Sequence, residues 1–159
     1  MCIRDSIKTL TEVYSGHPHY AEVKAWLFPL YSGRQRYLMD LNLDLIQGAM
    51  EYMGLECELR LASELAVRDT DITECIMKAI KLCGGEHYIS SFRGKDYLKF
   101  EAFIANGIKC TVHDFKHPVY KQFGNEGGFI SRLSITDLLF NYGPKAIEVI
   151  RNSRKGIGK

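Results

Sequence analysis

The chain has 159 residues, 46% of them hydrophobic and 25% charged, with 21 Lys+Arg against 19 Asp+Glu and a net charge of +2. That apolar content is enough for a globular core and excludes intrinsic disorder. The near-balanced charge argues against an obligate nucleic-acid binder, which concentrates basic residues, and no apolar run reaches the roughly 18 residues that a membrane helix needs.

The opening Met1-Cys2-Ile3-Arg4-Asp5-Ser6 looks like the in-frame translation of a transposon-type sequencing-library adapter, ATG TGT ATA AGA GAC AG. Residues 1–6 are therefore expected to be an adapter-derived artefact, residues 7–152 a single, N-terminally incomplete domain, and residues 153–159 a frayed basic tail. After residues 7–14, which read as a helix end or an irregular approach, Ser15-Gly16-His17-Pro18-His19 is a turn, with both histidines expected in solvent. Helices are expected over 20–31, with Pro29 late in it, and over 37–53, where Leu38, Leu41, Leu45 and Ala49 recur at helical spacing before Gly54. Residues 56–61 alternate Cys57, Leu59 and Leu61 with charged side chains and predict a strand. Asp69 and Asp71 offer N-caps for a helix with Ile72, Ile76, Ala79, Ile80 and Cys83 on one face, stopped by Gly84-Gly85. A strand over 87–90, a loop over 91–94, a helix over 95–105 and a strand over 108–115 follow. Residues 117–128 form a loop, Ser134 caps a helix to residue 142, and Gly143-Pro144 restarts the chain into a last helix over 145–152.

The order strand, helix, strand, helix, strand predicts an α/β fold: a partial, three-layer-like parallel sheet with a β-α-β-α-β core and helical segments before and after it. The five cysteines show no CxxC and fall in apolar runs, which suits small buried hydrophobes in a reducing compartment, hence the cytoplasm.

In an open parallel sheet, ligands bind at the carboxyl ends of the strands. That rule selects Ser63-Glu64 after the first strand, Ser90 to Lys95 after the second, and His113, Asp114 and Lys116-His117-Pro118 after the third. A helix start beside Ser90, Ser91, Arg93 and Lys95 suits a phosphate. His113, Asp114 and His117 make an acid–base set, because histidine titrates near neutral pH and a carboxylate can fix its tautomer. They lack a recognised metal-ligand spacing, so no metal is expected. Residues 134–143 also read as a plain capped helix, with Leu133, Ile135, Leu138, Leu139 and Phe140 in the core and Ser134 and Asp137 as caps.

The segments His117-Pro118-Val119-Tyr120-Lys121-Gln122 and Leu133-Ser134-Ile135-Thr136-Asp137-Leu138-Leu139-Phe140-Asn141-Tyr142-Gly143 resemble the H-P-x-Y-x-Q and L-S-x-x-D-L-L-F-N-x-G elements of the WbqC-like protein family. Ser63-Glu64-Leu65, Gly94-Lys95-Asp96-Tyr97-Leu98 and Leu41-Asn42 are similar to its other motifs, and the likeness covers nearly all of residues 7–150. The chain departs from the family pattern at Ser90-Ser91, where the family has Ser-Gly, and in lacking the Gln-Pro-x-x-x-Pro opening. The resemblance implies a cytoplasmic, transferase-type enzyme of bacterial surface-polysaccharide (O-antigen) biosynthesis. Its substrate would be a small molecule, a nucleotide-linked sugar or its acyl donor; no cofactor, nucleic-acid partner or membrane insertion is indicated. On this reading Ser91, Arg93, Gly94 and Lys95 hold phosphate, with Ser63, Glu64, Ser90 and Tyr97 nearby. His117 is the acid–base group, Asp114 orients it, and Tyr120, Gln122, Asp137 and Asn141 shape a polar wall. Two rival expectations stay open: a non-catalytic binding or assembly protein of the same machinery, and an inactive fragment.

Overall fold

The computed structural model describes residues 3–31, 33 and 35–153. In chain order it contains α1 (Ile3–Tyr14), α2 (Tyr20–Leu30), α3 (Leu38–Tyr52), α4 (Ile72–Leu82), β1 (His87–Ser91), a 3₁₀ turn (Phe92–Asp96), α5 (Phe100–Ala105), β2 (Lys109–His113), α6 (Ile135–Tyr142), a short 3₁₀ turn (Gly143–Lys145) and α7 (Ala146–Ser153). Helices dominate, but the sheet is parallel and the fold is mixed α/β. Cys2 and most of the expected frayed tail lie outside the described residues. The chain divides into two compact units, a helical unit that includes residues 3–57 and 117–153 and a sheet unit of residues 58–116.

The helical unit is built on α1, α2, α3, α6 and α7. Val23 and Leu27, one turn apart on α2, are fully or almost fully buried and join Met53, Tyr120, Leu138, Leu139, Phe140 and Ala146 in its core. Phe140 is fully buried, with Tyr14 stacked on it at 4.4 Å between ring centroids and Tyr20 at 5.9 Å. Burying one such ring contributes about 2–3 kcal/mol. Leu138, Leu139 and Phe140 meet the core expectation, whereas Leu133 and Ile135 are exposed because they flank the N-cap on its solvent side. Helix α3 ends on paired bonds, Gly54 N–H to the Glu51 carbonyl and Leu55 N–H to the Met50 carbonyl. This is the Schellman stop that the Gly54 signal predicts, and α4 and α5 end in the same way at Gly84 and Gly107.

In the sheet unit β1 and β2 pair in parallel, in a register that sets His87 against Lys109 and Ser91 against His113. The core is small: Met77 of α4, Leu98, Phe103 of α5 and Ile108, with Tyr88 stacked on Phe103 at 5.1 Å. Residues 56–61 do not form the expected strand, and the sheet among the described residues has two strands rather than three. The reason lies in burial. Cys57 and Leu59 are exposed and no neighbouring strand receives them, so the alternation has no apolar face to bury. The cysteines also differ from expectation: Cys57 and Cys83 are exposed, and Cys75 and Cys110 only partly buried. Among the described residues no helix is long and apolar enough to cross a membrane.

Candidate functional site

The parallel pairing puts Ser91 and His113 opposite one another at the carboxyl ends of the two strands. Ser90 is buried and its hydroxyl donates to the Ser91 carbonyl at 3.1 Å. Ser91, Arg93, Lys95 and Tyr97 are exposed, and the Lys95 ammonium lies 5.0 Å from the centre of the Phe92 ring. The expected helix over 95–105 starts only at Phe100. Residues 92–96 form a 3₁₀ turn instead, closed by the Tyr97 and Leu98 N–H groups on the Gly94 carbonyl, so no α-helix begins directly behind Ser91. Asp114 is exposed and His113 partly buried, its ring 6.1 Å from that of Phe115. Ser63 and Glu64 lie exposed in a turn over residues 62–66 rather than at the end of a strand.

The helical unit draws its two motif segments together through Asp137. This residue sits in the first turn of α6, but the capping oxygen is that of Ser134, which accepts from the Thr136 N–H. The Asp137 carboxylate is buried instead and accepts from three neutral donors: Tyr14 Oη at 3.1 Å, Tyr120 Oη at 2.7 Å and Gln122 Nε2 at 3.1 Å. Gln122 also donates to the Ile130 carbonyl and accepts from the Ile130 N–H, which pins both ends of the intervening loop. Asn141, one turn after Asp137, donates to the Asp137 carbonyl and accepts from the Phe123 N–H at 2.6 Å. Tyr120, Gln122, Asp137 and Asn141 thus form one hydrogen-bonded set. Burial, reinforced by the Asp137 charge, pushes the Tyr14 hydroxyl above its ordinary pKa. The same causes raise that of Tyr120, and both remain donors.

His117 opens the return into this unit. Its Nδ1 lies 2.9 Å from the Pro118 carbonyl oxygen, and its ring faces Tyr120 at 6.3 Å and Phe129 at 5.9 Å. A carbonyl only accepts, so in the neutral ring Nδ1 carries the proton and Nε2 is the basic nitrogen.

Beside this set lies a cleft of about 530 Å³, lined in part by Tyr14, His17, Gln122, Phe123, Asn125 and Asp137. A space of that size suits a small molecule. Tyr14 and His17 are the residues that sequence reasoning missed. His17 is half-buried rather than solvated, with its ring 4.8 Å from Tyr14 and 5.2 Å from Phe123. Its Nδ1 is buried. Burial lowers its pKa, against a smaller opposing pull from the Asp137 charge, and so favours the neutral imidazole. The one available signal was the aromatic run Tyr14, His17, Tyr20 at helical spacing. Among the described residues no group of three or more His, Cys, Asp or Glu is placed to hold a metal ion.

Fold and site together define a mixed α/β protein with a small-molecule-sized cleft beside a buried, hydrogen-bonded carboxylate. The chain belongs to the WbqC-like protein family, whose model matches residues 2–149. It is 30% identical over 144 residues to "Uncharacterized protein Rv1507c" of Mycobacterium tuberculosis, a match that covers 89% of this chain and 61% of that protein. The chain therefore spans about three-fifths of the length of the curated relative it matches. No solved structure matches it.

Proposed function

We propose that this chain is part of a cytoplasmic, transferase-type enzyme of bacterial surface-polysaccharide biosynthesis, acting on a nucleotide-linked sugar or its acyl donor. The observation that supports this reading is the meeting of motif residues Gln122 and Asp137 at a cleft of about 530 Å³, with Tyr120 donating to the same carboxylate from behind it. Each unit carries its own share. In the helical unit, Tyr120, Gln122, Asp137 and Asn141 build the polar wall, and His117, with Nε2 basic, is the acid–base group. In the sheet unit, Ser91, Arg93 and Lys95 supply hydroxyl and cationic contacts for phosphate, where Gly94 leaves room for the turn. Asp114, three residues before His117 in the sequence, keeps its expected part as the orienting carboxylate.

The test uses the full-length protein. A panel of nucleotide sugars and acyl donors is screened by thermal shift, and the ligand that binds is then assayed for group transfer. The proposal expects His117→Ala to lower the transfer rate by about 10²-fold or more while the thermal shift persists. Unchanged transfer in that variant contradicts it. A second reading, a non-catalytic binding or assembly protein, is favoured by one observation: the Asp137 carboxylate is already occupied by three donors, which suits a scaffold. A ligand that raises the melting temperature without any detectable transfer would select that reading.

A further inference from the structure

The two strands bury only one face of their sheet. In the parallel register Tyr88 pairs with Cys110, and both pack on the cluster that holds Met77 of α4 and Phe103 of α5. Side chains alternate along a strand, so the opposite face carries His87, Ile89 and Ser91 of β1 and Lys109, Thr111 and His113 of β2. A bond of 2.7 Å between His87 Nε2 and Thr111 Oγ1 ties the strands together on that face. Its apolar groups are open: Ile89 is 64% exposed, and Phe115, two residues past β2, is 53% exposed with its ring 6.1 Å from that of His113. Parallel sheets are as a rule covered by helices on both faces. The connection from β1 through α5 to β2 does not supply the second cover, because its helix lies on the Tyr88 face. In doubly wound sheets the second face is covered by helices from the other half of the chain. The 144 aligned residues are 61% of the mycobacterial relative, so roughly 90 of its residues lie outside the match, room for more than one βαβ unit of about 30 residues.

From these observations we infer that, in the full-length protein, the Ile89 face of the sheet is the docking surface for an amphipathic helix from the part that corresponds to this unmatched two-fifths of the relative. The helix lays its apolar stripe on Ile89 and Phe115 and completes a sheet covered on both sides. Such docking is independent of the function proposed above, since it concerns how the sheet is completed, whatever ligand the strand ends hold.

The test is thiol labelling of the full-length protein, read by mass spectrometry at two introduced cysteines. Ile89→Cys probes the face, and Glu101→Cys, at an exposed position on α5, is the reference. A docked helix makes the thiol at position 89 react with N-ethylmaleimide about tenfold or more slowly than the thiol at position 101. Ile89→Thr keeps a β-branched side chain, which an open strand face tolerates, and under a docked helix it lowers the Tm of the full-length protein by about 3 °C or more. Equal labelling at the two positions, or a Tm that moves by less than about 1 °C, overturns the inference. Protection at position 89 that disappears on dilution also overturns it, because a second copy then covers the face.

Discussion

Gly94 and Ser90 show how a single missing side chain shapes the turn after β1. A methyl group at Gly94 would overlap the Ser90 hydroxyl and press on Leu98, which is buried in the sheet unit's core. Gly94→Ala is expected to destabilise the protein by about 1–3 kcal/mol in urea unfolding. Ser90→Ala alone loses one hydrogen bond, about 1 kcal/mol. The double variant should cost less than the sum by about 1 kcal/mol, because removing the hydroxyl makes room for the methyl; strict additivity would contradict this. At the same scale, Asp137 marks the limit of what local sequence can tell. A short acidic residue three positions after Ser134 reads equally well as a cap or as a buried acceptor. What decides is Tyr14, 123 residues away, and no local pattern contains that information. His17 was misread for the same reason: its burial comes in part from Phe123 and Phe140, distant in sequence.

Helix ends were the most legible elements, because their signals are chemical and local. Asp71 sits at the N-cap of α4, accepts from the Thr73 N–H at 2.7 Å and pairs with Lys99 at 2.5 Å. The Lys99 ammonium first, and then the capped N–H, hold its carboxyl at about 2 against the ordinary 3.8. The folded protein therefore binds this proton less tightly than the unfolded chain does. The stabilisation is complete above about pH 5 and is lost as pH falls through about 2. Asp71→Asn keeps a capping oxygen but removes the charge, and should flatten the acid limb of stability between about pH 5 and 2; an unchanged limb would show that the pair contributes nothing. The start of α5 was not legible. Residues 95–99 mix the helix formers Lys95, Leu98 and Lys99 with the poorer Asp96 and Tyr97, and the Lys99 N–H is taken by the Thr73 hydroxyl at 3.3 Å, a tertiary bond that no local pattern contains. The false strand at 56–61 is the complementary case, a sound period with no neighbour to pair with.

At the scale of the whole molecule, the chain leaves the helical unit near residue 57 and returns at 117. The mixed α/β class was readable from the alternation of elements; the division into two units was not, since it depends on which contacts form across long stretches of chain. The units also differ in how well they are built. Among the described residues the helical unit's core holds eight buried residues and the sheet unit's four, and Ile89, in the middle of β1, is 64% exposed although parallel strands are normally covered on both faces. Amide hydrogen exchange is therefore expected to be slower in α6 than in β1 and β2, and equal protection would contradict this ranking. The closure of the helical unit, α1 bonded to α6 through Tyr14 and Asp137, is what makes one cleft from segments at opposite ends of the sequence. A double-mutant cycle with Tyr14→Phe and Asp137→Asn, read by urea unfolding, tests it most directly. A coupling of about 1 kcal/mol is predicted, and additivity within about 0.3 kcal/mol would contradict the account.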